Sequence, residues 1–167
     1  MPHAVHRLNL YLVPDDPDRV PAEDLVDGAL CELTRRQVLV GGRPGPRADA
    51  LIEGGFRLLR VDRPGRPVLY GNRLGGYRAR CPRCAINLVP GLGPALASWR
   101  AGGGRDVRCP GCDVVIPLEG VRYAPDAAPG RFAIELLDVQ QLRPRPSAEA
   151  LLKRALDGGF VVVGSRG

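Results

Sequence analysis

The chain has 167 residues, 44% of them hydrophobic, so it is long enough to bury the core of one ordinary domain and too short for two large ones. Its 22 glycines and 17 prolines predict short elements joined by many turns. The formal charge of +6 comes almost entirely from arginine, with a single lysine, and such a ratio is typical of a GC-rich bacterial genome, so arginine content alone does not indicate a nucleic-acid surface.

The first 72 residues predict a strand, a helix and three further strands. Residues 6–13 alternate in polarity as a half-buried strand does, and a Pro-Asp-Asp-Pro turn follows. Pro21, with Glu23 and Asp24 after it, favours the start of a helix that ends near Thr34. The strands that follow lie at residues 38–40, 50–62 and 66–72. The last two are predicted to form a hairpin around an Arg-Pro-Gly-Arg turn.

The C-terminal third predicts two strands, a helix and a closing strand. Residues 113–121 and 131–139 predict strands, and the second of these is strongly apolar. Ser147 is a suitable N-cap for a helix over residues 148–156, which Gly158 and Gly159 end. Residues 160–167 then predict a closing strand.

The two ends of the chain share a pattern of strand, turn, helix and Val-rich strand, the last with Gly-Gly-Arg or Gly-Ser-Arg at its end. Two such β-α-β units predict an α+β fold, with a ferredoxin-like sandwich as the leading arrangement and another α+β arrangement as the alternative. We expect residues 1–70 and 120–167 to form this core domain. Residues 71–119 are expected to be a segment inserted between its two halves.

Four of the five cysteines form two Cys-x-x-Cys pairs, Cys81 with Cys84 and Cys109 with Cys112, separated by 24 residues. Each pair can direct two thiolates at one ion from a tight turn, and two pairs complete the tetrahedron that zinc accepts from sulfur. The segment between the pairs has room for a short helix over residues 94–101. Cys31, inside the first predicted helix, is most simply a core residue.

Residues 77–117 resemble the zinc ribbon, a module with rubredoxin-like knuckles. The resemblance implies one structural zinc ion held by Cys81, Cys84, Cys109 and Cys112. Iron is the less favoured metal, and two disulfides or four unrelated buried thiols are the non-metal alternatives. Four thiolates leave no open position on zinc, so a catalytic metal is not expected. Knuckles of this group commonly carry Gly after the second cysteine. Ala85 and Asp113 stand there, so the first knuckle is expected to be distorted, because alanine adopts the left-handed conformation poorly.

The whole excess of positive charge falls in residues 71–112, which lie within the predicted ribbon segment and contain seven basic residues and one acid. Two interpretations stay open for these side chains: they contact phosphates or an acidic protein surface, or they balance the zinc-thiolate charge on an exposed hairpin. The aromatic residues of the ribbon, Tyr77 and Trp99, can stack on bases, although Trp99 is better interpreted as the anchor of the ribbon helix. The candidate partner-binding residues are Arg78, Arg80, Arg83, Arg105, Arg108, Tyr77 and Trp99.

These features favour a non-enzymatic binding protein, an adaptor or accessory subunit whose ribbon docks on a larger protein or nucleoprotein. Direct nucleic-acid binding is the alternative, and a small-molecule enzyme or an iron redox protein comes third. Both histidines lie in the first six residues, and no catalytic triad or phosphate loop is recognised. Paired cysteines and the lack of a long apolar stretch predict a cytoplasmic protein without a membrane partner.

Overall fold

In the computed structural model, which describes residues 8–72, 76 and 78–166, the chain forms a mixed α/β structure with three α-helices and several small antiparallel sheets. The helices are α1 (Glu23–Arg35), α2 (Val89–Arg100) and α3 (Pro146–Ala155). The strands are, in chain order, β1 (Leu8–Pro14), β2 (Leu39–Val40), β3 (Arg43–Pro44), β4 (Leu58–Asp62), β5 (Val68–Tyr70), β6 (Arg78–Arg80), β7 (Asp106–Arg108), β8 (Val115–Pro117), β9 (Arg122–Ala124), β10 (Ala128–Gly130), β11 (Ala133–Val139) and β12 (Phe160–Arg166).

The main sheet contains four strands in the order β12–β1–β11–β4, and every neighbouring pair is antiparallel. Helix α1 lies in the connection from β1 to β4, and α3 lies in the connection from β11 to β12. Each connection therefore passes over the strand that separates its two ends in the sheet. The long central strands β1 and β11 begin the two connections, and β12 and β4 form the edges.

One face of the main sheet packs against α1 and α3, which also contact each other. Because side chains alternate along a strand, Leu10 and Leu12 of β1 point to this face together with Ile134 and Leu136 of β11. Burial of each such side chain stabilises the fold by about 1.5–3 kcal/mol. The helices contribute a matching set of buried residues: Val26, Ala29, Leu33, Ala148, Leu151, Leu152 and Ala155.

The opposite face of the sheet is covered by the two-stranded ladder of β5 and β10. Tyr70 of β5 packs against Tyr11 of β1, with ring centroids 5.3 Å apart. Beside Tyr11 in the same cross-strand row is Glu135, which is almost fully buried and forms an ion pair with Arg60 of β4. The pairing satisfies a carboxylate that would otherwise be costly to bury.

A third group of buried residues lies around α2 and the small sheets β6–β9 and β7–β8. Leu88, Leu92 and Trp99 pack there against Val107 and Ile116. Gly91 permits the contact, because a Cβ atom at this position would come within 2.7 Å of the Val107 side chain. The Cys81 and Cys109 side chains belong to the same group, so this small core and the cysteine cluster are one packing unit.

The predicted hairpin between residues 50–62 and 66–72 is wrong. Strand β4 pairs with β11 in the main sheet, whereas β5 pairs with β10. The strand predicted at residues 38–40 also lies outside the main sheet, because β2 has only two residues and pairs with β3. In the main sheet, the strand that follows α1 is β4. The comparison of the two chain ends, which matched residues 38–40 with the closing strand, therefore chose the wrong segment.

Three local predictions in the helices also need correction. Cys31 is exposed rather than part of the core, because Val26, Ala29 and Leu33 form the buried face of α1. Ser147 lies inside α3, which begins one residue earlier at Pro146, a residue suited to the first turn. Helix α2 starts at Val89 instead of residue 94 and continues through Pro94.

Asp18 connects the turn after β1 to the packing unit around α2. Its carboxylate accepts hydrogen bonds from Trp99 Nε1 at 2.9 Å and from Arg105 Nη1 at 2.5 Å, and Arg131 Nε lies at 3.3 Å. The two guanidinium groups also stand over the buried Trp99 ring, 5.6 and 5.3 Å from its centroid. We call these four residues the Asp18 cluster; it links α2 to the end of the main sheet.

The Asp18 cluster predicts a pH-dependent contribution to stability. Burial raises the pKa of Asp18, but the bonds from Trp99, Arg105 and Arg131 lower it by more, so the pKa lies below its ordinary value of 3.8. The ionised carboxylate therefore contributes its full stabilisation at pH values above its ordinary pKa of 3.8. This stabilisation is lost as the pH falls through the lowered pKa. We expect Asp18→Asn to reduce the free energy of unfolding by about 1 kcal/mol at neutral pH, because a half-exposed carboxylate is screened by solvent.

Urea denaturation at neutral pH and near pH 2 tests this expectation. The difference in unfolding free energy between the variant and the wild type should be smaller at the lower pH, because the wild-type carboxyl binds a proton as the pH falls through its lowered pKa. Asp27→Asn is the matched control, since Asp27 is exposed on α1 and has no ion pair within the described part of the chain. An equal loss at both pH values would contradict a charge-dependent role for Asp18.

Candidate metal centre

The four cysteines at positions 81, 84, 109 and 112 come together with free thiols, and their sulfur atoms all lie within 4.8 Å of one another. The Sγ–Sγ distance is 3.4 Å between Cys84 and Cys109 and 3.7 Å between Cys81 and Cys112. In a tetrahedral site with metal–sulfur bonds of about 2.3 Å, neighbouring sulfurs lie about 3.8 Å apart. The donor set and its spacing therefore fit one metal ion, as the sequence motif predicts.

Two turns of equal geometry present the sulfur atoms; we call residues 81–86 the first knuckle and residues 109–114 the second. In the first knuckle, Ala85 N donates to Cys81 O at 3.0 Å and Cys81 N donates to Ile86 O at 2.9 Å. In the second, Asp113 N donates to Cys109 O at 3.0 Å and Cys109 N to Val114 O at 2.9 Å. The expected distortion of the first knuckle is absent from these bonds.

Ala85 takes the left-handed conformation that its position requires, with φ 61°, close to the 58° of Asp113. This conformation costs an alanine about 1 kcal/mol, whereas glycine adopts it freely and aspartate tolerates it. The closure of both turns and the packing around them hold Ala85 in place. The first knuckle therefore keeps the standard shape with local strain at one residue.

The strain at Ala85 predicts that Ala85→Gly stabilises the protein, by about 0.5–1 kcal/mol, although glycine increases the entropy of the unfolded chain. The measurement is the free energy of unfolding by urea, with the metal load held constant. Ala97→Gly, an exposed change inside α2, is the control and should destabilise the protein by about 1 kcal/mol. A loss of stability in both variants would show that Ala85 is not strained.

In each knuckle, the first cysteine receives main-chain amides. The amides of Cys112 and Gly111 donate to Cys109, and the pKa of that thiol is lowered to about 6. Burial raises the pKa of Cys81, but the amides of Cys84 and Arg83 outweigh it, so this pKa is also lowered. The Arg83 amide lies 3.4 Å from Cys81 Sγ. The main chain thus stabilises the thiolate, the form of cysteine that binds metals.

A short strand leads into each knuckle of the metal centre. Strand β6 ends at the residue before Cys81, and β7 ends at the residue before Cys109. The chain leaving the first knuckle pairs back onto β6, through Leu88 N and Ala79 O at 2.8 Å, and the chain leaving the second forms β8, which pairs with β7. Each knuckle is therefore the tip of a small antiparallel hairpin.

The structure divides the five candidate arginines into two groups. Arg105 forms ion pairs with Glu119 and Asp18, Arg108 pairs with Asp113, and Arg80 donates to Ala85 O at 2.9 Å. Arg78 and Arg83 are exposed, and within the described residues no acid pairs with either of them. Fewer of these arginines are therefore free of an acidic partner than the count of basic residues in the sequence indicates.

The two aromatic candidates have different outcomes. Trp99 is buried and its indole nitrogen is bonded to Asp18, so it anchors α2, as predicted, and offers no face to a nucleic-acid base. Tyr77 lies outside the described residues. In and next to the two knuckles, the exposed large hydrophobic side chains of the described residues are instead aliphatic: Ile86, Val89 and Val115.

Sequence reasoning missed two contributors to this region. Asp18 is 63 residues before Cys81 in the chain, in a turn whose composition predicts only the turn. Ile86 extends across the second knuckle, since a Cβ atom on Gly111 would lie 2.4 Å from Ile86 Cδ1. Neither contact has a sequence signal, because each depends on how distant segments pack.

No protein-family model, curated protein or solved structure matches this chain significantly. Within the described residues, no helix has the length and apolar character needed to cross a membrane. In the same part of the chain, the four cysteines are the one group of histidine, cysteine or acidic residues arranged to hold a metal ion.

Substitution of one knuckle cysteine should remove the metal and destabilise the fold. We expect Cys109→Ser to lower the bound metal from about one ion per chain to near zero and the melting temperature by more than about 5 °C, because metal-binding energy is folding energy in so small a core. Elemental analysis and thermal unfolding measure the two effects. Cys31→Ser is the matched control and should change neither, since Cys31 is exposed on α1. A folded Cys109→Ser variant with unchanged melting would contradict a structural metal.

Proposed function

We propose that the four cysteines hold one structural zinc ion and that the protein is a non-enzymatic docking module, whose metal-stabilised ribbon binds a larger protein partner. The convergence of four thiols at tetrahedral spacing carries the proposal. Such a set occupies all four positions on zinc, so the ion would organise the ribbon without contacting a substrate. Residues that require a metal to fold and present an exposed surface beside it are typical of an interaction module.

Zinc is proposed over iron because of the surroundings of the cluster. The packing unit contains one tryptophan and otherwise mainly aliphatic side chains, while rubredoxin-type iron sites usually sit in aromatic packing. Thiols that bind metal need a reducing compartment, so the proposal places the protein in the cytoplasm.

The ferredoxin-like class is proposed for the main sheet. Its support is the antiparallel order β12–β1–β11–β4, with a helix in each of two connections that pass over one strand. On this proposal, residues 71–119 are an insertion between the second and third strands of that sheet. The inserted segment would carry the metal and its partner-binding surface.

A protein partner is favoured over nucleic acid by the residues that remain exposed. Ile86 belongs to the first knuckle, Val115 directly follows the second and Val89 begins α2, and all three aliphatic side chains are exposed. On this proposal they form one apolar surface of the kind that protein interfaces use. Trp99 is buried, so this candidate offers no face on which a base could stack. Direct nucleic-acid binding is the second candidate, supported by Arg78 and Arg83, whose exposed guanidinium groups have no acidic partner in the described residues.

Elemental analysis of the purified protein tests the metal, and an affinity capture from native extract tests the partner. We expect one zinc per chain, no visible absorption band, and a protein that is retained after nuclease treatment and lost on chelation. Ile86→Glu with Val115→Glu should reduce its retention at least about tenfold, because two charges would be buried at the contact. Val40→Glu is the control, an equally drastic change at an exposed position on β2.

The same capture separates the alternatives. Retention that disappears with nuclease, falls steeply with salt and is abolished by Arg78→Glu with Arg83→Glu would establish the nucleic-acid function instead. Iron with a visible band would overturn the zinc assignment and direct attention to electron transfer. Retention that survives both chelation and the Ile86/Val115 pair of changes would show that the ribbon does not carry the interaction.

A further inference from the structure

The two edges of the main sheet differ in how they are protected. Strand β4 carries Arg60 and Asp62, and its Leu59 amide donates to Gly42 O at 3.4 Å in the turn between β2 and β3. Strand β12 has seven residues, and none of its first six is charged. Within the described residues no main-chain hydrogen bond reaches its outer side. A long, uncharged, open edge is the kind that pairs with another strand.

A groove runs along this open edge. It is a cavity of about 640 Å³ between β12 and the start of α3, and Phe160, Val162 and Gly164 form its floor. Leu142 packs over Gly164 from the loop before α3, yet it remains 44% exposed, and Val161 on the other face of the strand is 41% exposed. Apolar side chains are therefore exposed on both faces of the same edge.

Charges beside the groove balance. Lys153 is paired with Glu149 at 2.7 Å, and Arg145 is paired with Asp49 at 2.8 Å. Arg143 and Asp126 also line the groove, one of each sign, and neither has a partner among the described residues. With Asp49 counted beside Arg145, the groove has three groups of each sign, so its charge selects neither an acidic nor a basic ligand; Arg166, at the end of β12, is the one further charge on this edge strand. A pair of unmatched opposite charges suits a self-complementary contact.

We propose that β12 pairs with β12 of a second copy of this chain, antiparallel about a two-fold axis near Val163, so that two four-stranded sheets become one of eight strands. In this register Phe160 lies opposite Arg166, Val161 opposite Ser165 and Val162 opposite Gly164. No like charges face each other, and every outward main-chain group of the strand gains a partner. The proposal goes beyond the metal-dependent docking function and does not depend on it.

The surface features favour a second copy over a foreign peptide. A two-fold interface must be complementary to itself, so it suits balanced charge, and the proposed dimer offers Arg143 and Asp126 of each copy an oppositely charged group on the other. A strand from a partner of one net charge would leave one of these two groups unmatched. Pairing of identical edges also covers Val161 and Leu142 in both copies at once.

The test is a double variant, Val161→Lys with Leu142→Lys, which places four charges at the edge of the dimer without altering a buried residue. The matched control is Val40→Lys with Leu25→Lys, the same changes at residues that are 60% and 39% exposed elsewhere on the surface. The wild type and the control should have twice the chain mass of 17.9 kDa by light scattering at about 100 µM. The edge variant should raise the dimer dissociation constant at least about tenfold.

Hydrogen exchange supplies the second readout. Amides of β12 should exchange more slowly in the wild type and the control than in the edge variant, while β1 amides stay protected in all three, which verifies the fold. A wild type with the mass of one chain at this concentration would overturn the proposal. So would a dimer that survives the edge variant, or one that the control disrupts to the same degree. Zinc content should be equal throughout, so failure here leaves the proposed docking function untouched.

Discussion

Four sulfur atoms must meet at the spacing of a tetrahedron, and much of the region between β6 and β8 serves this requirement. Each knuckle needs a left-handed residue after its second cysteine, and the chain accepts alanine at one of these positions despite the strain. Each also directs two amides at its first cysteine. These features bring the four sulfur atoms together and favour a thiolate at the first cysteine of each knuckle, so the local backbone suits a metal ion.

The packing unit around the knuckles is small, and its connection to the main sheet uses polar contacts as well as apolar ones. Trp99 supplies the largest buried side chain of the unit, and its one polar atom is bonded to Asp18. Arg105 reaches the same carboxylate and also pairs with Glu119. Arg105 therefore stabilises the fold through its ion pairs and adds little to an open positive surface. This is why the region has fewer unpaired basic side chains than its count of arginines indicates.

The sequence was sufficient for features that are local in the chain. Alternating polarity predicted β1, short apolar runs predicted β11 and β12, and the spacing of two Cys-x-x-Cys pairs predicted the cysteine cluster, because each signal lies within a few residues. Prediction from the sequence failed where a strand could pair with several partners that are distant in the chain. Strand β4 pairs with β11, more than seventy residues away, rather than with its neighbour β5, and Cys31 could not be distinguished from the buried face of α1 by hydrophobicity alone. No local sequence pattern marks Asp18, since its contacts with Trp99 and Arg131 form only when these distant residues pack beside it in the fold.

The open edge of β12 and the exposed aliphatic residues near the knuckles concern different elements, so the two proposed interfaces place no demand on the same side chains. A two-fold dimer would carry two ribbons at a fixed separation. For a partner with two binding sites, the second contact would then be intramolecular, with an effective concentration that can reach the millimolar range, and weak single contacts would give strong retention. A monomeric edge variant with an intact ribbon would keep the single-site affinity and lose this gain. Comparing the affinities of the wild type and the edge variant for one such partner therefore separates the contribution of the ribbon from that of the sheet edge.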